Sequence, residues 1–372
     1  MSLGAAQSIT TKRRYAILTE GLLTGMYGKT AHGVLRFRAP DVVVVVDSTL
    51  AGSRVNDILP ALGSDAPIVA TLDEALTYRP TSLLVGVATD GGRLPPALRA
   101  PIIAAAHAGL EIVSGLHELL VDDPDIVTAA GRSGARLWDV RIPPADIPLF
   151  SGAAYNVAAD VVLAVGSDCA VGKMTAMLEI ERAAQAAGVH AEFLATGQTG
   201  IMIAGSGCPV DRVISDFVTG AAEQLVLGAR SDSDVLLVEG QGAIFHPAYA
   251  PVTFGLLYGS APDALVLCHR PRTTQIAGFT TPIPPLPELV RVHERIVAHV
   301  KPARVAAIVL DTSAFDEHSA AAVLEATERQ TGLPTADPVR NGGEAIWSAI
   351  SQALKKTDKE LRRRAGRARN PA

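Results

Sequence analysis

Two α/β domains, each built on a parallel sheet, are what this chain predicts, and three observations carry that reading. Its 372 residues exceed what one ordinary hydrophobic core serves, so two domains are expected. Short apolar runs of strand character recur with helix-length segments between them, the pattern of a doubly wound parallel sheet with right-handed crossovers. The third observation is the run Val161-Val-Leu-Ala-Val165, followed by a loop of small residues from Gly166 to Gly172 and a helix opening at Lys173, which reads as strand, phosphate-type loop and helix.

In the first half, Tyr15 to Thr19 is the opening strand. Glu20-Gly-Leu-Leu-Thr-Gly25-Met-Tyr-Gly28-Lys29-Thr30-Ala-His32-Gly33 then turns into a helix ending near Arg38. Gly-Lys-Thr looks like a second phosphate loop, but Leu23 stands where the first glycine would be and the dinucleotide fingerprint is missing. The segment is therefore a turn-to-helix junction, with Lys29 and His32 as candidate site residues. Val42 to Val46 is the second strand, ending on Asp47, and Ile68 to Ala70, Leu83 to Ala88 and Glu111 to Ser114 follow. Gly91-Gly92-Arg93-Leu-Pro95-Pro96 falls at the sheet edge where such folds bind ligands. Without the fingerprint, Asp47 alone does not make a nicotinamide site.

Pro143-Pro144-Ala-Asp-Ile-Pro148 is the densest proline link before the loop and marks the boundary. The expected layout is a disordered terminus over 1–11, an N-terminal domain over 12–142, a linker over 143–158, a loop-bearing domain over 159–354 and a basic tail over 355–372. In the second domain the helix from Lys173 to Ala187 stops at Gly188, and Glu192 to Ala195 feeds the glycine-dense run Thr196-Gly-Gln198-Thr-Gly200 to Gly207. That density beside the phosphate-type loop suggests close backbone approach to a ligand. A helix from Phe217 to Gly228 and strands at Val235 to Val238, Ala264 to Cys268 and Val305 to Leu310 complete the pattern. Asp168, Gln198, Glu239, His269 with Arg270, and Asp311 with Thr312 and Ser313 all fall at strand ends, which line one crevice in an open parallel sheet.

A glycine at each end of the loop lets backbone N–H groups turn inward, while the helix start and Lys173 add positive charge, so the expected ligand carries phosphate. Gly166, Ser167, Asp168, Cys169, Ala170, Val171, Gly172, Lys173, Met174 and Thr175 form this cofactor-binding stretch. It departs from the common nucleotide loop in having five residues between the glycines and Met174 after the lysine. A thioether is a poor magnesium ligand, which leaves magnesium open and dependent on Thr175 or groups elsewhere. The spacing resembles dethiobiotin synthetase-type loops, in which a strand ending in an acidic-Gly pair faces the loop, as Val235-Leu-Leu-Val-Glu239-Gly240-Gln241-Gly242 would here.

Composition excludes several classes. Cys169, Cys208 and Cys268 show neither metal spacing nor a disulfide framework. His293 and His299 lie about 240° apart on a helix and cannot share a metal; they read as a solvated face. No metal ligands are assigned. The longest aliphatic run, Val42 to Val46, is far short of a membrane span, and no signal-like segment opens the chain, so a cytoplasmic protein without membrane contact is expected. Before the tail, 25 Lys and Arg face 36 Asp and Glu; that acidic body disfavours nucleic acid.

The joint set Gly166-Ser-Asp-Cys-Ala-Val-Gly-Lys173, Thr196-Gly-Gln-Thr-Gly200, Glu239-Gly-Gln-Gly242, His246-Pro247 and Leu267-Cys-His-Arg270 resembles the D-glutamate N-acetyltransferase family. Lys29-Thr-Ala-His-Gly33, Gly91-Gly-Arg-Leu-Pro95, Gly115-Leu-His117 and Trp138-Asp-Val-Arg141 extend the resemblance over nearly the whole chain. It implies a Rossmann-like parallel sheet followed by a P-loop NTPase-like doubly wound sheet. The implied reaction moves acetyl from acetyl-CoA, the co-substrate, to the amine of D-glutamate, a small-molecule substrate. The alanine-rich helices leave room for a homo-oligomer.

Such a transfer needs a base for the substrate ammonium and donors for the oxygen that turns negative. His246, Glu239 and Asp168 are the catalytic candidates, with His246 favoured as base because imidazole titrates near neutral pH. Arg270 and Arg272 offer guanidinium forks for carboxylates, and Gln198 and Lys29 are further substrate-binding candidates. Cys169, inside the loop, could instead accept the acetyl group in a two-step reaction. Two other classes stay open: an ATP- and magnesium-dependent ligase or kinase of the dethiobiotin synthetase kind, and a non-catalytic nucleotide-binding sensor.

Overall fold

A computed structural model describes residues 13–355. The polar N-terminus expected over 1–11 and, apart from Lys355, the basic tail expected over 355–372 lie outside the described residues. By internal packing the chain divides into two compact units, one holding the described residues up to Pro143 together with Gln198–Arg212, the other holding Pro144–Gly197 and the chain from Val213 onward.

In the first unit the order is β1 (Tyr15–Leu18), α1 (Lys29–Phe37), β2 (Val42–Val46), α2 (Val55–Ile58), β3 (Ile68–Val69), α3 (Leu72–Leu76), β4 (Ser82–Val85), α4 (Pro96–His107), β5 (Glu111–Ser114), α5 (Pro124–Ser133) and β6 (Leu137–Asp139). The strands pair in parallel in the order β3-β2-β1-β4-β5-β6, the doubly wound order of a Rossmann-like sheet. Five consecutive valines make β2 a buried central strand, since β-branched side chains suit a pleated surface covered on both faces. Helix ends follow local chemistry. Asp123 caps α5 by accepting from Asp125 and Ile126, Pro124 opens it, and Gly134 closes it at a φ of 77°. The sequence reading omitted β6, three residues at the sheet edge with no aliphatic run to mark them.

The second unit runs β7 (Asp160–Gly166), α6 (Lys173–Ala186), β8 (Ala191–Leu194), then, beyond the helix α7 (Gln198–Ala204), α8 (Val218–Leu227), β9 (Val235–Val238), α9 (Ala250–Gly259), β10 (Ala264–His269), α10 (Leu286–Val297), β11 (Arg304–Leu310), α11 (Glu317–Thr331), β12 (Thr335–Ala336) and α12 (Pro338–Asn341), closing with a helix over 344–355. Its sheet is also all parallel, in the order β12-β11-β10-β7-β9-β8. The chain reverses direction across the sheet at β7, between β9 and β10, so the crevice beyond the carboxyl end of β7 is the topological switch point. Val161 to Val165 are buried, which the unbroken apolar run required. β12, of two residues, is a second edge strand that the sequence did not mark.

Two segments differ in detail from the sequence expectation. The glycine-dense run after Thr196 is in part helical. Gln198–Ala204 is α7, it belongs to the first unit, and Thr199 bonds Thr30 of α1, oxygen to oxygen, at 3.2 Å. Its Ile201-Met-Ile203 side chains are buried, and that apolar content outweighs glycine's poor helix propensity. The second is a correction concerning His293, which does not sit on a solvated face. It is fully buried on α10, donates from Nδ1 to the Leu289 carbonyl at 2.7 Å, and keeps Nε2 without a hydrogen-bond partner among the described residues.

Candidate functional site

Parallel pairing fixes what meets at the carboxyl end of β7. Cys268 of β10 lies beside Gly166, and one step further the Ser167 hydroxyl stands 2.8 Å from His269 Nδ1. Burial pushes His269 down to about 4, so the imidazole is neutral at physiological pH. On the other flank β9 delivers Glu239, whose Oε2 accepts from the backbone N–H groups of Thr196 at 2.8 Å and Gly197 at 3.0 Å. Gly240 is required here by space, because a Cβ would fall on the Ala164 carbonyl oxygen of β7 and 3.0 Å from Lys173 Cδ.

The loop itself turns through left-handed backbone at Ala170, with a φ of 53°, and at Gly172, with a φ of 87°. A left-handed alanine costs energy and persists where surroundings fix it. Asp168 is the centre of the arrangement. It is 2% exposed; its Oδ1 accepts from the Cys169 N–H at 2.6 Å and its Oδ2 from the Ala277 N–H at 2.7 Å. Its carbonyl accepts from Lys173 Nζ at 2.8 Å. Burial pulls Lys173 below the ordinary lysine range, against the opposing influence of Cys169, Cys268, Asp168 and Glu239. Asp168 thus engages two of the donors that the sequence reading assigned to a bound phosphate.

His246 enters from the turn before α9. It is 2% exposed, with its ring centroid 4.6 Å from that of Tyr249 and 5.3 Å from that of Phe279. Nδ1 accepts from the Ala248 N–H at 3.2 Å, which favours the neutral tautomer with the proton on Nε2. Nε2 stands 3.9 Å from Asp168 Oδ1. One ligand-type atom from each of Asp168, Cys169 and His246 falls within 4.8 Å of the others, close enough for a metal ion, a cluster the sequence reading did not foresee. The tautomer weighs against a metal there, since ligation through Nε2 would turn an Nδ1–H toward the Ala248 N–H.

The three catalytic candidates and the loop from Gly166 to Thr175 are therefore gathered at one sheet edge. Among the substrate-binding candidates, the two arginines have partners within the second unit. Arg270 gives Nε and Nη2 to Asp311 Oδ2 at 2.9 and 2.6 Å; burial pushes the Asp311 carboxyl up, but bonds from Ser313 and Arg270 outweigh it and hold it below the usual carboxylate range. Arg272 lies 4.1 Å over the Phe315 ring and donates to the Ala314 carbonyl at 3.2 Å. Gln198 and Lys29 belong to the first unit. Gln198 Oε1 accepts from Arg141 Nη2 at 2.5 Å, while Lys29 is exposed at the start of α1 and His32 Nε2 bonds the Leu23 carbonyl at 2.6 Å. The reading missed the Ser167–His269 pair and the Tyr249 and Phe279 rings, although a histidine ending a strand beside a loop was a usable signal for the first.

Family models match the two halves: the DUF1611 N-terminal Rossmann-like domain of unknown function over residues 48–143 and the DUF1611 C-terminal P-loop domain of unknown function over residues 148–347. A protein of Tritonibacter scottomollicae named D-glutamate N-acetyltransferase is 38% identical over 296 residues, 79% of this chain and 88% of its own length. Another of that name, from a Pseudoalteromonas species, is 35% identical over 275 residues, 73% of this chain and 82% of its own. Among solved structures, a DUF1611 family protein of Anabaena variabilis aligns with a TM-score of 0.87 and 38% identity, covering 91% of this chain and 99% of that one. No helix among the described residues is long and apolar enough to cross a membrane.

Proposed function

This chain belongs to the DUF1611 family that includes the D-glutamate N-acetyltransferases, and we propose that it transfers acetyl from acetyl-CoA to the amine of D-glutamate, giving N-acetyl-D-glutamate and CoA, a step suited to D-amino-acid catabolism. The observation that carries this reading is 38% identity to a relative of that name across 79% of the chain. The sheet edge around the loop supplies fitting chemistry. Residues Gly166 to Thr175 receive the acyl carrier. The neutral Nε2–H of His246 is a donor for the oxygen that becomes negative as the thioester carbonyl is attacked. That tautomer moves the base role from His246, which the sequence favoured, to Asp168, a buried carboxylate 3.9 Å away. Glu239, fixed by two backbone N–H groups, holds the strand end and the Thr196 turn in register with the loop.

Thiol release from acetyl-CoA, measured against D-glutamate, L-glutamate and related amino acids, tests the proposal; turnover is expected with D-glutamate well above the others. ATP hydrolysis or phosphate release dependent on an acid substrate, with no thiol release, would replace this reading with the ligase one.

A further inference from the structure

Resting on the N-acetyltransferase reading, the question is which end of acetyl-CoA the loop takes. In CoA the phosphate groups and the thioester sit at opposite ends of the pantetheine arm. A loop that grips the phosphates cannot also present Asp168, Cys169 and His246 to the acetyl group of the same extended molecule, because those side chains cluster within 4.8 Å of one another on the loop and beside it. Two features decide for the thioester end. Asp168 already takes the Cys169 N–H on its carboxylate and Lys173 Nζ on its backbone carbonyl, so the loop itself engages two of the donors a phosphate would use. The Cys169 thiol also stands within 4.8 Å of a carboxylate oxygen of Asp168 and a ring nitrogen of His246, both buried side chains, an acid and an imidazole suited to acyl transfer.

We propose that Cys169 is a catalytic nucleophile that carries the acetyl group between CoA and the amine, with Asp168 as proton carrier and His246 Nε2–H as oxyanion donor. The Cys169 thiol passes its proton to Asp168, Sγ attacks the thioester carbonyl, the bond from carbon to the CoA sulfur breaks, and the departing CoA thiolate takes the proton back from Asp168. The substrate ammonium then loses one proton to solvent and attacks acetyl-Cys169. As the intermediate collapses, the C–N bond stays, the bond from carbon to Sγ breaks, and the second amine proton returns through Asp168 to the thiolate. Cys169 is half-buried, so the thiol is reachable, whereas Cys208 and Cys268 are buried, and burial pushes each thiol up to about 12, leaving them inert.

Enzyme mixed with acetyl-CoA and no amine, acid-quenched and peptide-mapped by mass spectrometry, should carry acetyl on Cys169, with a burst of CoA equal to the enzyme present. Cys169→Ala should lose the burst and slow turnover on the order of 10³-fold or more; Cys169→Ser, nearly isosteric, covers a folding failure of the alanine protein. Adenosine 3′,5′-bisphosphate, the phosphate end of CoA alone, should bind Lys173→Ala as well as wild type. Wild-type turnover in Cys169→Ala overturns the covalent step and leaves the N-acetyltransferase reading standing. Zinc bound one per chain and removed together with activity by a chelator also overturns it, since Sγ would then be a metal ligand. A burst with no turnover on D-glutamate keeps acetyl-Cys169 and overturns the substrate instead; neither burst nor turnover overturns both.

Discussion

At the carboxyl edge of the first sheet, Thr19 donates to Asp47 at 2.9 Å, Asp47 also accepts from Thr49 at 2.6 Å, and buried Arg141 joins the Gly115 carbonyl, Gln198 and Asp211. At the matching edge of the second sheet, His246 Nε2 stops 3.9 Å short of Asp168, with the Cys169 thiol in the same small space. Both edges are places where doubly wound sheets concentrate polar groups. One is closed by bonds at contact distance and works as structure. The other holds acid, thiol and imidazole within 4.8 Å of one another, an arrangement suited to proton and acyl transfer.

Substitutions that exchange these roles would break the contrast. Asp168→Ala should cost the largest effect, a fall in kcat on the order of 10³-fold, read in the thiol-release assay. Arg141→Ala should leave kcat per folded molecule unchanged but remove about 3 kcal/mol of stability, because Asp211 and Gln198 lose a buried partner; the denaturant midpoint reads it. An Arg141→Ala protein of native stability and lost turnover would reverse the assignment of the two edges. The last effect is absent at neutral pH and emerges only in acid. Burial pushes His293 and His269 of the second unit down to about 4 from an ordinary 6.5. Between those values the unfolded chain takes up protons that the folded chain refuses, so stability is complete above pH 6.5 and declines toward pH 4. Each histidine contributes up to about 1.4 kcal/mol per pH unit. His293→Leu should flatten that acid limb while leaving the neutral midpoint near wild type, as denaturant titrations at a series of pH values would show.

Much of the fold was legible because buried central strands must be apolar. Val42–Val46, Val161–Val165 and Val235–Val238 announced themselves, and the loop length and lysine located the switch point. Edge strands gave no such signal: β6 and β12 are held by two or three backbone pairings and little burial. Of the site, Asp168 and Glu239 could be named because polar residues at strand ends converge in any parallel sheet, and His246 because an imidazole suits proton transfer near neutral pH. Their roles could not, since the tautomer of His246 depends on one N–H of Ala248 and no spacing encodes that. The surroundings of Gln198 were hidden for a related reason. Glycine density marks backbone that packs closely, and in this chain the close neighbour of Gln198 is Gly115 of the first unit, whose missing Cβ would stand 2.7 Å from the Gln198 side chain.

That excursion of residues 198–212 makes the two halves inseparable by a single cut. A gene truncated at the proline link would produce an N-terminal fragment stripped of α7, with Arg141 buried beside a gap and the Thr30 face of α1 bare, and a C-terminal fragment trailing an apolar helix that has no home. Independent expression of either half calls for moving the helix as well, either by grafting it onto the first fragment through a short glycine linker or by supplying it in trans.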